Sequence, residues 1–152
     1  MKTHKYYSVI VFILLFLACR NNQSFIPKEN QAVIADSDYS TDPDKYWIPN
    51  ARQTDKALDA VFLYLQNSKD SNAEVLNILK NRDKFRVQFV GIIRNNNNKI
   101  IFCNFFPIDN NDKNESWEKY YQLTKDGGFW FWNIEYDLKE NKCANIVINK
   151  EV

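Results

Sequence analysis

The spacing of apolar residues changes once along this chain, and that change limits the fold more than any other feature. Over Thr54–Asn67 apolar residues recur every three to four positions, which indicates a helix with one apolar face. These residues are Leu58, Val61, Phe62 and Leu65. From Lys84 onwards apolar and polar residues alternate, as they do in strands. Helices followed by strands predict an α+β domain with its helices on one face of an antiparallel sheet.

Short-range signals predict where the helices begin and end. Thr54 is a suitable N-cap for the long helix, because its side chain can accept a hydrogen bond from the first turn. A second, short helix is predicted after Ser71, which stands three residues before Glu74, the spacing of a capping box. This second helix should end near Asn81.

Five strands are predicted after the helices, and they should form a four- to five-stranded antiparallel meander. The first starts at Lys84, and the others are Lys99–Phe106, Trp117–Leu123, Phe129–Leu138 and Cys143–Asn149. Asparagine-rich and glycine-rich turns at 95–98 and 125–128 suit hairpins. One or two amino-terminal helices followed by such a sheet resemble the cystatin-like and nuclear-transport-factor-2-like architectures in element order.

The amino terminus has the pattern of a targeting signal. Lys2 and Lys5 precede nine consecutive apolar residues, Val9–Leu17. A helix needs about 20 apolar residues to cross a bilayer, so this run is too short to span and has the length of a signal-peptide core.

Leu17, Ala18 and Cys19 follow directly and resemble the lipobox of bacterial lipoproteins, although Phe16 stands where that family has an aliphatic residue. The resemblance implies removal of residues 1–18 and attachment of lipid to Cys19. It also implies an envelope protein held in a membrane, and Arg20 favours the outer membrane. The carboxy-terminal half is similar to small bacterial lipoproteins without an assigned activity. The alternative is an ordinary signal peptide cut near Ala18, which would leave Cys19 as a free thiol.

This processing predicts a signal peptide at residues 1–18, a flexible tether at 19–44 and one α+β domain at 45–152. The tether is polar, carries two prolines and contains an acidic run. Within it, Ala32–Ala35 is apolar enough to dock as an edge strand.

Composition excludes several classes of function. The net charge of +1 argues against a nucleic-acid partner. The single histidine, His4, lies in the predicted signal peptide, so the mature chain would lack histidine catalysis and the usual zinc ligands. Cys103 and Cys143 are 40 residues apart and could be free buried thiols or a disulfide. Glu135 and Asp137 share a strand face, which is more typical of a polar surface than of an acid–base pair. We therefore expect no enzyme activity, no metal and no cofactor.

Four aromatic residues are the candidate ligand site: Phe129, Trp130, Phe131 and Trp132, called the aromatic platform below. On a strand, the two tryptophans would share one face and the two phenylalanines the other. One reading has both faces covered by helices, tether and loops. The functional reading leaves one face open to a protein, peptide or glycan ligand.

A second functional hypothesis comes from Gln88-Phe89-Val90-Gly91. Inhibitory cystatins carry a similar Gln-x-Val-x-Gly segment, and this chain is one residue short of it. The resemblance implies inhibition of cysteine proteases. The alternative is an ordinary strand in which Gly91 permits close packing.

Overall fold

A computed structural model describes residues 26–35, 45–68, 72–108 and 115–150. These residues form two helices and six strands. The helices are α1 (Ala51–Asn67) and α2 (Ala73–Lys80). The strands are β1 (Gln31–Val33), β2 (Tyr46–Trp47), β3 (Phe85–Arg94), β4 (Asn98–Pro107), β5 (Trp132–Asp137) and β6 (Lys142–Ile148). Short 3₁₀ turns connect several of them, at Arg82–Lys84, Asn95–Asn97, Glu115–Glu118 and Gly128–Trp130.

The α+β class is confirmed, and the sheet is larger than expected. Its strand order is β1-β3-β4-β5-β6, and β2 also pairs with β3. The strands from β3 to β6 form the predicted antiparallel meander. The short strand β1 runs parallel to β3, with Gln31 opposite Val87, whereas β2 is antiparallel to β3. One edge of β3 therefore carries two short strands from the amino-terminal part of the chain.

Helix α1 begins three residues before the predicted position. Asn50 is its N-cap and forms a capping box with Gln53, in which each side chain accepts a hydrogen bond from the other residue's backbone N–H. Thr54 is instead buried in the first turn and donates to the Ala51 carbonyl. Asn72 caps α2 by accepting from the Val75 backbone N–H. The predicted cap, Ser71, lies outside the described residues.

The predicted strand Trp117–Leu123 is wrong. The chain forms a 3₁₀ turn at Glu115–Glu118 and then continues without regular structure. The next predicted strand, Phe129–Leu138, is shortened to β5, because the chain makes a 3₁₀ turn at Gly128–Trp130 before it becomes extended. The glycine-rich turn therefore leads into β5 without closing a hairpin.

The sheet is covered on both faces. Against one face pack the apolar side of α1 and part of α2, with Phe62 in edge-to-face contact with Phe105 at 6.2 Å between ring centroids. On the other face, a smaller cluster joins Phe102 and Phe106 to Trp117 of the irregular segment. Both faces of β3 are consequently buried over most of its length.

Part of the predicted tether belongs to the folded domain. Ile26 is fully buried in the core beneath α1, and Ile34 is buried on the opposite face of the sheet. β1 lies within the Ala32–Ala35 region that was apolar enough for an edge strand. The tether therefore does not extend through residues 26–35, and the domain begins at least as early as Ile26. Residues 1–25 and 36–44 lie outside the described part of the chain, including Cys19 and the predicted signal peptide.

Candidate functional site

The aromatic platform is split by the fold. Trp132 is buried in β5 and stacks on Phe105, with ring centroids 3.8 Å apart and planes 2° from parallel. Phe129 is half-buried and packs on the helix side of the sheet, 4.7 Å from the ring of Trp130. Trp130 and Phe131 are also half-buried, and both line a surface cleft. The 3₁₀ turn breaks the strand alternation, so the predicted division into a tryptophan face and a phenylalanine face is wrong.

This aromatic cleft lies where β3 begins, β4 ends and the chain enters β5. Its volume is about 630 Å³, within the range of about 300–1,000 Å³ typical of small-ligand sites. Its apolar side chains are Pro107, Ile108, Trp130 and Phe131, and its charged ones are Asp83 and Lys84. The cleft can therefore cover an apolar group while two opposite charges stand beside it.

Local backbone geometry shapes the cleft wall. Gly127 has φ +99°, a left-handed conformation that L side chains rarely adopt. An added Cβ there would lie 2.4 Å from Cδ2 of Phe131, so the glycine also makes room for the aromatic ring. Asn149 donates its side-chain amide to the carbonyls of Thr124 and Asp126, which fastens the preceding turn to the last strand. These contacts hold Phe131 in its position at the cleft.

A buried amide pair on the outer face of the sheet was missed by sequence reasoning. Gln88 on β3 is opposite Asn104 on β4, and Gln88 is fully buried. Its Nε2 donates to the carbonyls of Trp117 and Tyr120 at 2.6 and 2.8 Å. Its Oε1 accepts from the Gln122 backbone N–H at 2.9 Å and from Asn104 Nδ2 at 3.2 Å. The backbone of residues 117–122 therefore hydrogen-bonds to these two side chains, and the segment does not form the predicted strand.

The same burial bears on the cystatin-like segment. Gln88 is enclosed by the segment it holds, and an added Cβ on Gly91 would fall 2.0 Å from the Trp47 carbonyl oxygen. The segment is thus an interior strand whose glycine permits close approach of β2. A protease would reach neither residue, so inhibition would have to use another part of the chain.

The two cysteines in the described residues are both free. Cys103 is on β4 and Cys143 on β6, so β5 separates them. Two strand spacings amount to about 9.5 Å, more than the roughly 7 Å between Cα atoms that a disulfide can bridge. Burial raises the pKa of the Cys103 thiol well above its usual value and raises the pKa of Cys143 to about 11. Neither sulfur is activated as a nucleophile.

The carboxylates of β5 are used in internal contacts. Glu135 pairs with Arg94 of β3 and accepts from the side-chain amide of Asn145 at 2.8 Å. Asp137 accepts from the backbone N–H groups of Lys139 and Glu140. Within residues 26–35, 45–68, 72–108 and 115–150, no group of three histidine, cysteine or acidic residues is placed to hold a metal ion.

Comparison of the chain with known protein families, curated proteins and solved structures finds no match. Among the helices in the described part of the chain, none combines the length and the apolar character needed to cross a bilayer. The site must therefore be interpreted from its own residues.

Proposed function

We propose that this protein is a lipid-anchored, non-enzymatic binding module of the bacterial cell envelope, held in the outer membrane through Cys19. The anchor is supported by the nine-residue apolar run and the Leu17-Ala18-Cys19 sequence that follows it. Several acyl chains on one residue give stable attachment, whereas a single chain gives only marginal binding.

The aromatic cleft is the observation that carries the binding function. Trp130 and Phe131 are half-buried large rings, and such rings supply most of the binding energy in many interfaces. Four apolar side chains line the cleft, together with two oppositely charged residues that are adjacent in sequence, Asp83 and Lys84. This lining suits a large apolar side chain of a peptide or protein, with the two charges contacting the adjacent backbone or termini.

Metabolic labelling tests the anchor. Cells expressing the wild-type chain, Cys19→Ala or the control Cys143→Ser are fed a clickable palmitate, and their membranes are fractionated. We expect label in the outer-membrane fraction for the wild type and for Cys143→Ser, and none for Cys19→Ala. Unlabelled wild-type protein, or label retained by Cys19→Ala, would refute the anchor.

Selection from a displayed random peptide library tests the cleft. The full chain should enrich peptides with large apolar residues, and Phe131→Ala should weaken the selected peptides about tenfold or more, the usual effect of losing a buried aromatic contact. Tyr64→Ala is the matched control, because Tyr64 is a partly exposed aromatic residue on α1, outside this cleft. Equal binding to Phe131→Ala and wild type would contradict the assignment.

A further inference from the structure

A second cleft lies at the opposite end of the sheet from the aromatic cleft. It has a volume of about 540 Å³ and is bounded by the β3–β4 turn, the β5–β6 turn and the first turn of α1. Seven of its eight lining residues are polar, four of them with side-chain amides. We call it the amide cleft. Its composition contrasts with that of the aromatic cleft, in which four lining side chains are apolar.

Asp137 does not line the amide cleft, but its carboxylate binds three residues that do. Its Oδ2 accepts from Asn98 Nδ2 at 2.7 Å, and its Oδ1 accepts from the backbone N–H groups of Lys139 and Glu140, each at 2.8 Å. The backbone N–H of Leu138 donates to the Lys99 carbonyl at 3.1 Å, which joins the two turns directly. The lining residues are thus held on a fixed scaffold.

Several polar groups of the cleft have no partner among the described residues. The side-chain amides of Asn95 and Asn97 make no hydrogen bond there, and Gln53 uses only its Oε1, in the capping box. Asn98 Oδ1 is buried and has no hydrogen-bond partner. The exposed side-chain amides of Asn95 and Asn97 are therefore the groups of the cleft that are open to new hydrogen bonds with a ligand.

From this arrangement we propose that the amide cleft is a binding site for a neutral carbohydrate. Each side-chain amide offers both donors and acceptors, and sugar hydroxyls are donors and acceptors in the same way. The charged lining residues are Lys99, Lys139 and Glu140, so no strong single-sign field favours an ionic ligand. The proposal depends neither on lipid attachment nor on the aromatic cleft.

The same geometry disfavours an anion or a metal ion as the ligand. The backbone N–H groups of Lys139 and Glu140, which an anion would need, already donate to Asp137. No arginine lines the cleft to form the bidentate contacts that phosphate favours. Glu140 is the one carboxylate in the lining, too few for a hard cation that takes six or more oxygen ligands.

Isothermal titration calorimetry tests the proposal with the full chain in a zwitterionic detergent, since glycoside detergents present sugars themselves. The probes are maltotriose, cellotriose and triacetylchitotriose, with inorganic phosphate as the anionic comparison. We expect at least one trisaccharide to bind with a dissociation constant below about 1 mM. Phosphate should give no binding heat, and its presence should not change the titration of that trisaccharide. Heat from phosphate alone, or no trisaccharide binding at up to about 5 mM, would overturn the proposal.

Three variants locate the binding. Asn95→Ala combined with Asn97→Gly removes two amides, and glycine preserves the left-handed backbone at position 97, where φ is +57°. Loss of two hydrogen bonds should weaken trisaccharide binding about thirtyfold, whereas Asn67→Ala, at the far end of α1, should leave it unchanged. Asn95→Ala alone should give a smaller loss and guards against misfolding of the double variant. Wild-type affinity in the double variant would refute the site.

Discussion

Replacing Gln88 should expose how the outer face of the sheet is held together. Gln88→Ala removes four hydrogen bonds in which the Gln88 side chain takes part. It leaves the Trp117 carbonyl and the Gln122 N–H without this partner, whereas the Tyr120 carbonyl keeps its bond from Gln122 Nε2. A net contribution of about 1 kcal/mol per bond, with water partly replacing the lost partners, gives a decrease of about 3 kcal/mol in the free energy of unfolding. Such a loss is large beside a total stability of about 5–15 kcal/mol.

Urea unfolding followed by tryptophan fluorescence measures this decrease, and hydrogen exchange of the Gln122 amide reports the local opening. Gln88→Glu is a sharper variant, because a carboxylate cannot donate to the two carbonyls and should destabilise the protein further at neutral pH. The control is Gln66→Ala, at an exposed position of α1, which should change stability by less than about 0.5 kcal/mol. A loss below about 1 kcal/mol in Gln88→Ala, with unchanged protection of Gln122, would refute the reasoning.

Two further substitutions and two measurements on the cysteines test the fold and its chemistry. Gly91→Ala should cost about 2–4 kcal/mol of stability in urea unfolding, since its Cβ would meet the Trp47 carbonyl; an unchanged midpoint would contradict that contact. Hydrogen bonds from a neighbouring asparagine side chain and from the backbone lower the pKa of Asp137. Its stabilisation is therefore present above the unfolded-state pKa of about 3.9 and is lost as the pH falls through the lower folded pKa. Asp137→Ala should therefore flatten the dependence of stability on pH below about pH 4. Because burial raises the pKa of Cys143 to about 11, Ellman's reagent at pH 8 should react with it far more slowly than with a free peptide thiol. Mass spectrometry should find Cys103 and Cys143 unlinked after oxidation of the native protein.

Periodicity predicted the elements whose own sequence carries a regular apolar pattern. The four apolar residues of α1 that recur every three to four positions are all buried in the core, and the alternating residues Phe85, Val87 and Phe89 lie on the same side of the sheet. Each pattern lies within one element and does not depend on contacts with distant parts of the sequence. That is why α1 and the strands β3, β4 and β6 were predicted within a few residues.

The failures arose where contacts distant in sequence decide the structure. The segment 117–123 was predicted to be a strand, but the side chains of Gln88 and Asn104, 18 to 34 positions away in the sequence, bind its backbone. In the same way, Ile26 lies in a polar stretch of the sequence, and its burial depends on α1, which is distant in sequence and covers it. The aromatic platform was predicted as a straight strand, and the turn at Gly127 and Gly128 rotates its members apart.

The burial of Ile26 also limits how far the folded domain can lie from the membrane. Were Cys19 to carry the lipid, only six residues would lie between it and the buried Ile26, so the two residues would be seven positions apart. Fully extended, seven residues reach about 25 Å, whereas the 26 residues of the expected tether would reach about 90 Å. The folded domain would then lie close to the lipid headgroups. Its two clefts would be accessible only near the membrane surface. Any ligand would therefore have to reach that surface before it could bind.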